Sequence, residues 1–228
     1  MPKRFAVIFA LTITGFAGAA CGQDAVLDAF AKSYKYEKAQ NYPDAIKAIV
    51  ILKDQDYLVN LRLGWLYYLS GNYANSRQRY QMAIAAAPKA IEPRLGHMLP
   101  LLAQARYAEV ETVARQVLTM DAGNYYASLR LAIALRMQGK LPQAEEVNKS
   151  MLELYPTDVS FLTELGLVYV GQKDLVTARQ AFRRVLTLDP ENVVAKKHLA
   201  APPAAGSSRE RASAQSDSGS WFGAWFSQ

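Results

Sequence analysis

Few side chains in this sequence have the chemistry of a catalytic or metal-binding group. The 228 residues include one cysteine, Cys21, and two histidines, His97 and His198. A metal site needs several Cys, His or carboxylate ligands at short spacing, and no such set accompanies either histidine. We therefore expect both histidines to be packed or half-exposed helix residues, with no metal, no cofactor and no catalytic histidine.

Two pairs of carboxylates could serve as an acid and a base: Glu145 with Glu146, and Glu109 with Glu111. Each pair lies where a helix is expected to begin, and negative charge there interacts favourably with the helix dipole. A Gly-rich phosphate loop and a serine nucleophile elbow are both absent from the sequence. The sequence therefore favours a protein that is not an enzyme.

The N-terminus has the pattern of a bacterial export signal. Lys3 and Arg4 precede an apolar run over residues 5–16, which is followed by small residues at 17–20. The run is too short to span a bilayer comfortably. We expect residues 1–22 to be a signal peptide and the mature chain to be exported.

Cys21 directly follows the small residues, where a bacterial lipoprotein carries its lipidated cysteine. Gly18 stands where such signals usually carry Leu, so cleavage after Ala19 or after Gly22 by an ordinary signal peptidase is the alternative. Both interpretations stay open: a lipoprotein attached through Cys21, or a soluble periplasmic protein. With either processing, the chain cannot form an internal disulfide.

Residues 60–88 predict two helices joined by a tight turn. Leu63, Gly64 and Tyr67 fall on one helical face, Gly71 breaks the helix, and a second apolar-periodic helix stops at Pro88. The same pattern continues downstream at steps of about 34 residues, and the step upstream is about three residues shorter. Five units result, at about residues 26–56, 57–90, 91–124, 125–158 and 159–192. In the third unit we expect Pro93 and Pro100 to flank a short first helix, which Pro100 should kink.

The order of residues in each unit resembles the tetratricopeptide repeat, whose unit is about 34 residues long. In residues 60–88 this order is large apolar, Leu, Gly and Tyr, then Gly, a small residue, an aromatic, Ala and Pro. The resemblance implies an all-α fold, a right-handed α-solenoid of about five helix hairpins over residues 25–199. It also implies a non-catalytic protein-binding scaffold.

In tetratricopeptide arrays the first helix of each unit lines a concave groove, and the resemblance implies which residues line it here. The groove would be apolar and aromatic, suited to an apolar peptide or helix of a protein partner. Some of these side chains could instead pack between neighbouring helices, Trp65 above all. The Lys, Arg and Asn set by which chaperone-binding members clamp a C-terminal carboxylate is missing, apart from Arg136. The implied groove residues are Phe30, Tyr34, Leu61, Trp65, Tyr68, Leu95, Leu99, Leu102, Tyr126, Leu129, Ile133, Arg136, Thr163 and Leu167.

Composition changes at the C-terminal end of the array. Residues 200–220 are small and polar, which is typical of a flexible linker, and residues 221–228 form an aromatic tail. Trp221, Phe222, Trp225 and Phe226 would share one face of a helix. We expect the tail either to have no role or to be a docking segment, for a partner, for a membrane interface, or for the groove of its own chain.

Charge and composition narrow the function classes further. About 51% of the residues are apolar, enough for a sizeable core, and the net charge of +6 is not gathered in a long basic run, so nucleic-acid binding is not predicted. We expect a protein-interaction scaffold or assembly adaptor of the bacterial cell envelope. The alternative is a structural component of a homo-oligomer, or of an envelope secretion or polysaccharide-export complex.

Overall fold

The computed structural model describes residues 17–52 and 56–200, and side chains from Asp24 onward. These residues form eleven α-helices and no strand, so the predicted all-α fold class is confirmed. None of the helices described is both long and apolar enough to cross a membrane. The helices are α1 (Ala17–Lys38), α2 (Tyr42–Val50), α3 (Tyr57–Leu69), α4 (Tyr73–Ala86), α5 (Glu92–Ala103), α6 (Tyr107–Met120), α7 (Tyr125–Met137), α8 (Leu141–Leu154), α9 (Val159–Gly171), α10 (Leu175–Leu188) and α11 (Val193–Ala200).

Consecutive helices pack as hairpins within two compact units, of which the first ends at Met120 and the second begins at Asp121. The first unit contains the pairs α1/α2, α3/α4 and α5/α6, and the second contains α7/α8 and α9/α10. The number of helix hairpins, five, agrees with the predicted fold. An eleventh helix, α11, follows the last predicted repeat and packs against α10.

Every first helix is followed, two residues past its end, by a residue with left-handed backbone geometry. In the second repeat, Gly71 has φ +76°, its N–H donates to the Tyr68 carbonyl at 3.0 Å, and the next N–H, of Asn72, donates to the Tyr67 carbonyl at 2.8 Å. This pattern caps the last carbonyls of a helix. The equivalent residues are Gln40, Gly71, Ala105, Gly139 and Lys173. Successive members lie about 34 residues apart except across the first step, which is about three residues shorter, the same steps that the sequence pattern has.

The third repeat corrects one expectation. Pro93 lies in the first turn of α5, at its N-terminal edge, but Pro100 lies inside the helix, which continues to Ala103. Pro100 is close enough to the C-terminus that few helical bonds depend on it, and the Gln104 N–H still donates to the Pro100 carbonyl at 3.2 Å. The prediction that Pro100 flanks the helix is therefore wrong.

Each unit has its own apolar core. In the first, Ile49, Leu63 and Leu66 are fully buried at the contact of α2 and α3. In the second, Phe161 and Phe182 are fully buried. The ring of His198 on α11 stacks on Phe182 with centroids 4.8 Å apart, which fixes α11 against the second unit.

Candidate functional site

The implied groove residues lie on the first helices of their hairpins, and none of them is fully buried. Tyr34 is 58% exposed and Tyr126 is 57% exposed. Phe30 is half-buried and packs against the core of the first unit, so it contributes to stability. The remaining members of this set are all half-buried: Leu61, Trp65, Tyr68, Leu95, Leu99, Leu102, Leu129, Ile133, Arg136, Thr163 and Leu167.

In the first unit these residues border an open depression of about 790 Å³ between α1, the start of α2, and α3. We call it the Tyr34 depression. Aromatic rings and charged side chains both reach it, so it can contact an apolar side chain and a polar group at the same time. Its lining residues are Tyr34, Glu37, Lys38, Gln40, Tyr42, Arg62, Trp65 and Leu69.

Arg62 is a buried cation in the wall of the Tyr34 depression, 6% exposed. Its Nε donates to Ser33 Oγ at 3.1 Å, and its Nη1 forms an ion pair with the Glu37 carboxylate. The Tyr34 ring lies over the guanidinium, with the Cζ atom 3.8 Å from the ring centroid. Its Nη2 is buried without a hydrogen-bond partner. Arg62 therefore ties α3 to α1 and keeps one donor unsatisfied.

Glu37 connects this cation to the aromatic surface. One carboxylate oxygen pairs with Arg62, and the other accepts a hydrogen bond from Trp65 Nε1 at 2.7 Å. The Trp65 ring lies 5.7 Å from that of Tyr68, which lies 6.0 Å from that of Tyr73. Trp65 thus contacts α1 through this hydrogen bond, and the residue remains half-exposed. The contact fixes the orientation of the indole.

The second unit contains a similar contact between first helices. Arg136 on α7 donates to both oxygens of Glu164 on α9, at 2.7 Å from Nε and 3.2 Å from Nη2. The two side chains are 21% and 13% exposed. Arg136, which carried the remaining similarity to a carboxylate clamp, is therefore already occupied by a carboxylate of its own chain.

The two ion pairs occupy the same positions of the repeat with opposite polarity. Glu164 occupies the repeat position of Arg62, three full-length repeats further along the chain. Arg136 occupies the repeat position of Glu37, three repeats further along, and the first of these three is the short one. The same two positions thus join one first helix to the next, whichever of them carries the acidic residue.

Tyr126 in the second unit stands on a packed aromatic base. Its ring lies 5.3 Å from that of Tyr125, at 84°. Tyr125 also meets Phe161 edge to face at 5.2 Å, and its hydroxyl donates to Asp158 at 2.9 Å. Edge-to-face contacts of this kind stabilise aromatic clusters. Tyr126 is therefore an exposed ring that packs on Tyr125, and Tyr125 is itself held by Phe161 and Asp158.

Glu145, one of the carboxylates considered as an acid or a base, is engaged in several contacts. Glu145 accepts from Gln172 Nε2 at 2.7 Å and from Tyr169 Oη at 3.4 Å, and pairs with Lys149 at 2.6 Å. Burial opposes ionisation of Glu145, but the hydrogen bonds from Gln172 and Lys149 outweigh it and lower its pKa. Burial, with the nearby Glu145 charge, raises the pKa of Tyr169. Glu145 is thus held in its charged form by contacts with its neighbours.

No group of three potential metal ligands occurs among the residues that the structure describes. The two sites predicted at the ends of the chain cannot be placed on it. The side chain of Cys21 and the docking tail Trp221, Phe222, Trp225 and Phe226 lie outside the described residues.

Sequence reasoning missed Ser33, Glu37 and Arg62 as members of this site. One signal was present: Arg62 is the one charged residue in the mostly apolar segment of α3. A charge on a helix that is apolar on most sides requires a buried partner. Glu37 could have been identified as that partner only by comparing equivalent repeat positions after allowing for the shorter first step.

The comparisons identify the family. Models of the tetratricopeptide repeat match residues 30–91, 101–161 and 159–192. Together these segments cover more than half of the chain, and the protein belongs to the tetratricopeptide repeat family. The resemblance inferred from the sequence is confirmed.

Solved structures with the same fold are similar to this chain at low sequence identity. MamA residues 41 to the end from Desulfovibrio magneticus RS-1 has 17% identity and a TM-score of 0.67, with 75% of this chain and 98% of that one covered. A second MamA structure has 15% identity and a TM-score of 0.64, covering 79% and 100%. YrrB, described as a tetratricopeptide repeat protein with an unusual peptide-binding site, has 12% identity and a TM-score of 0.64, covering 81% and 97%. At these identities the similarity shows the fold.

Proposed function

We propose that the protein is a non-catalytic interaction scaffold of the bacterial cell envelope that binds an apolar peptide or helix of a protein partner. The observation that carries this proposal is the Tyr34 depression with its fixed aromatic border. Trp65 and Tyr68 keep part of their rings exposed, and Trp65 is held by Glu37 in a defined orientation. Exposed aromatic side chains that are already ordered bind a partner with little further loss of entropy.

The chemistry of the depression favours an amphipathic ligand. Trp65, Tyr42 and Leu69 offer apolar contact, while Lys38 and Arg62 favour an acceptor group. A helix or extended segment that presents one apolar anchor beside a polar group fits both. Membership of a repeat family whose first helices line a binding groove supports this assignment.

The partner site is tested by affinity capture from envelope extracts with the full chain. Trp65→Ala and Tyr68→Ala should each reduce capture of the partner by at least tenfold, as expected for aromatic hot spots worth about 2 kcal/mol. The matched control is Ile51→Ala, which removes an apolar side chain that is 76% exposed and lies outside the depression. Equal capture by all three variants would refute the groove.

The envelope location rests on the N-terminal sequence. If the thiol is lipidated, Cys21→Ser should move the protein from the membrane to the soluble periplasmic fraction. An unchanged soluble distribution would favour ordinary cleavage, and retention in the cytoplasm of both forms would contradict export.

A further inference from the structure

Arg62 has an unused hydrogen-bonding capacity that points to a ligand. Its Nε and Nη1 are paired with Ser33 and Glu37, whereas Nη2 is buried without a partner on a residue that is only 6% exposed. A buried charged donor left unsatisfied is unfavourable. An acceptor that reached Nη2 would therefore be bound more strongly there than on the open surface.

The Tyr34 ring covers one face of the Arg62 guanidinium. The Cζ atom lies 3.8 Å from the ring centroid, yet Tyr34 is 58% exposed. Exposed side chains change rotamer on the picosecond to nanosecond timescale. Rotation of Tyr34 would open the face of the guanidinium that it covers to the Tyr34 depression, where Lys38 adds a second positive charge.

The ligand that fits this arrangement is an acidic side chain followed at short range by large aromatic ones. The carboxylate would accept from Nη2 and pair with Lys38, and the aromatic rings would pack on Trp65 and Leu69. A segment of this kind is present in the chain itself. Asp217 is the one charged side chain from residue 212 onward, and it precedes Trp221 by four residues. Four residues span at most about 14 Å, a distance suited to one continuous depression.

We propose that residues 217–226 dock in the Tyr34 depression, with the Asp217 carboxylate on Arg62 and Lys38 and with Trp221 and Phe222 on Trp65. The tail then occupies the surface proposed for the partner and competes with it. This inference rests on the proposed function for the identity of that surface, and it adds an occupant supplied by the protein itself.

Site-specific photo-crosslinking of the full-length protein tests the docking. Phe222 is replaced by p-benzoylphenylalanine, the sample is irradiated, and the linked peptides are identified by mass spectrometry. Crosslinks are expected within residues 34–42 and 62–69. Asp217→Asn and Lys38→Glu should each lower their yield about fivefold, corresponding to about 1 kcal/mol.

Tyr126→Ala provides the matched control, because Tyr126 is as exposed as Tyr34 and also lies near an arginine, Arg130. The control should leave the crosslinks unchanged. Crosslinks that fall in the second unit and are lost in Tyr126→Ala would overturn the proposal. A crosslink yield that is the same in Asp217→Asn and Lys38→Glu as in the unaltered sequence would also overturn it. Mixing isotopically labelled and unlabelled protein shows whether the tail comes from the same copy or from another, and either origin supports docking.

The two proposals fail in distinguishable ways. If Trp65→Ala abolishes partner capture but no crosslink reaches the first unit, the groove binds a partner and the tail does not dock there. If crosslinks form as expected but Trp65→Ala captures the partner normally, the tail docks and the proposed partner site is wrong. Deletion of residues after Ser220 should raise partner capture if the tail competes, and an unchanged or reduced capture would exclude competition.

Discussion

Removal of the Glu37 carboxylate is the sharpest test of how the groove is held. In Glu37→Gln, Arg62 would keep its hydrogen bond to Ser33 but lose the ion pair, and it is 6% exposed. A buried charge whose partner is removed typically costs about 3–5 kcal/mol. The Glu37 side chain is 22% exposed, so water can partly replace it, and we expect the lower value of about 3 kcal/mol.

The equivalent change in the second unit is the matched control. Glu164→Gln breaks the bidentate pair with Arg136, but the Arg136 side chain is 21% exposed and can be rehydrated. We expect a loss of about 1 kcal/mol there, near the upper range for solvent-accessible pairs. The structure thus predicts that two ion pairs at equivalent repeat positions differ about threefold in energetic effect because of burial.

Urea unfolding measures both losses. The chain has three tryptophans, so a background with Trp221→Phe and Trp225→Phe leaves Trp65 as the fluorescent probe of the first unit. Circular dichroism follows the helices of the whole chain. Because arrays can unfold in parts, the two probes are analysed separately. The role assigned to burial is refuted if Glu37→Gln costs less than about 0.5 kcal/mol, the size of an ordinary surface substitution. A cost for Glu164→Gln as large as that for Glu37→Gln would refute it equally.

Three further substitutions test local features of the fold. Ala105→Gly should stabilise the protein by about 0.5–1 kcal/mol in thermal unfolding, because Ala105 has φ +56°, and no gain would argue against strain at that position. Gly96→Ala should cost about 2 kcal/mol because a Cβ there would lie 2.2 Å from the Tyr80 ring, whereas Gly123→Ala, with nothing within 4 Å, should be nearly neutral. Burial lowers the pKa of His97, so the unfolded chain binds the proton at higher pH than the folded chain does. The free energy of unfolding should therefore fall by up to about 1.4 kcal/mol as the pH is lowered from 7.5 to 5.5. His97→Gln should remove this pH dependence, and a pH dependence that is unchanged in the variant would assign it to other groups.

The sequence predicted the helices and their register because both depend on local patterns. Turn residues such as Gly71 and Gly139 mark the end of a first helix directly, and apolar spacing shows which face is buried. The same conformation at Ala105 and Lys173 has no residue signal of its own, and only the 34-residue step from Gly71 marks these two positions. The repeat length therefore predicts those helix ends that no Gly marks.

The site was less predictable because its contacts join residues in different repeats. The spacing of Glu37 and Arg62 differs from that of Arg136 and Glu164 by the three residues that the first repeat lacks. Each pair also reverses the other's charges, so no common motif marks them. Groove residues implied by the family were placed on the expected helices, but whether an exposed ring there is free or held, as Trp65 is by Glu37, follows only from three-dimensional packing.

Charge reversal separates the ion pair from the tryptophan contact. Arg136→Glu with Glu164→Arg places the second unit in the polarity that the first unit already uses, and Leu167 stands where the first unit has Trp65, so no third partner is lost. This double variant should recover nearly the stability of the unaltered protein. Glu37→Arg with Arg62→Glu restores opposite charges but removes the acceptor of Trp65 Nε1, and it also removes the contacts of Arg62 with Ser33 and Tyr34. It should therefore remain at least about 1 kcal/mol less stable, the usual value of one hydrogen bond. Adding Trp65→Phe to both the unaltered protein and the first-unit double variant should reduce this difference by about 1 kcal/mol, as measured by circular dichroism in urea. A difference that the loss of the indole leaves unchanged would show that the Trp65 hydrogen bond contributes nothing to the deficit.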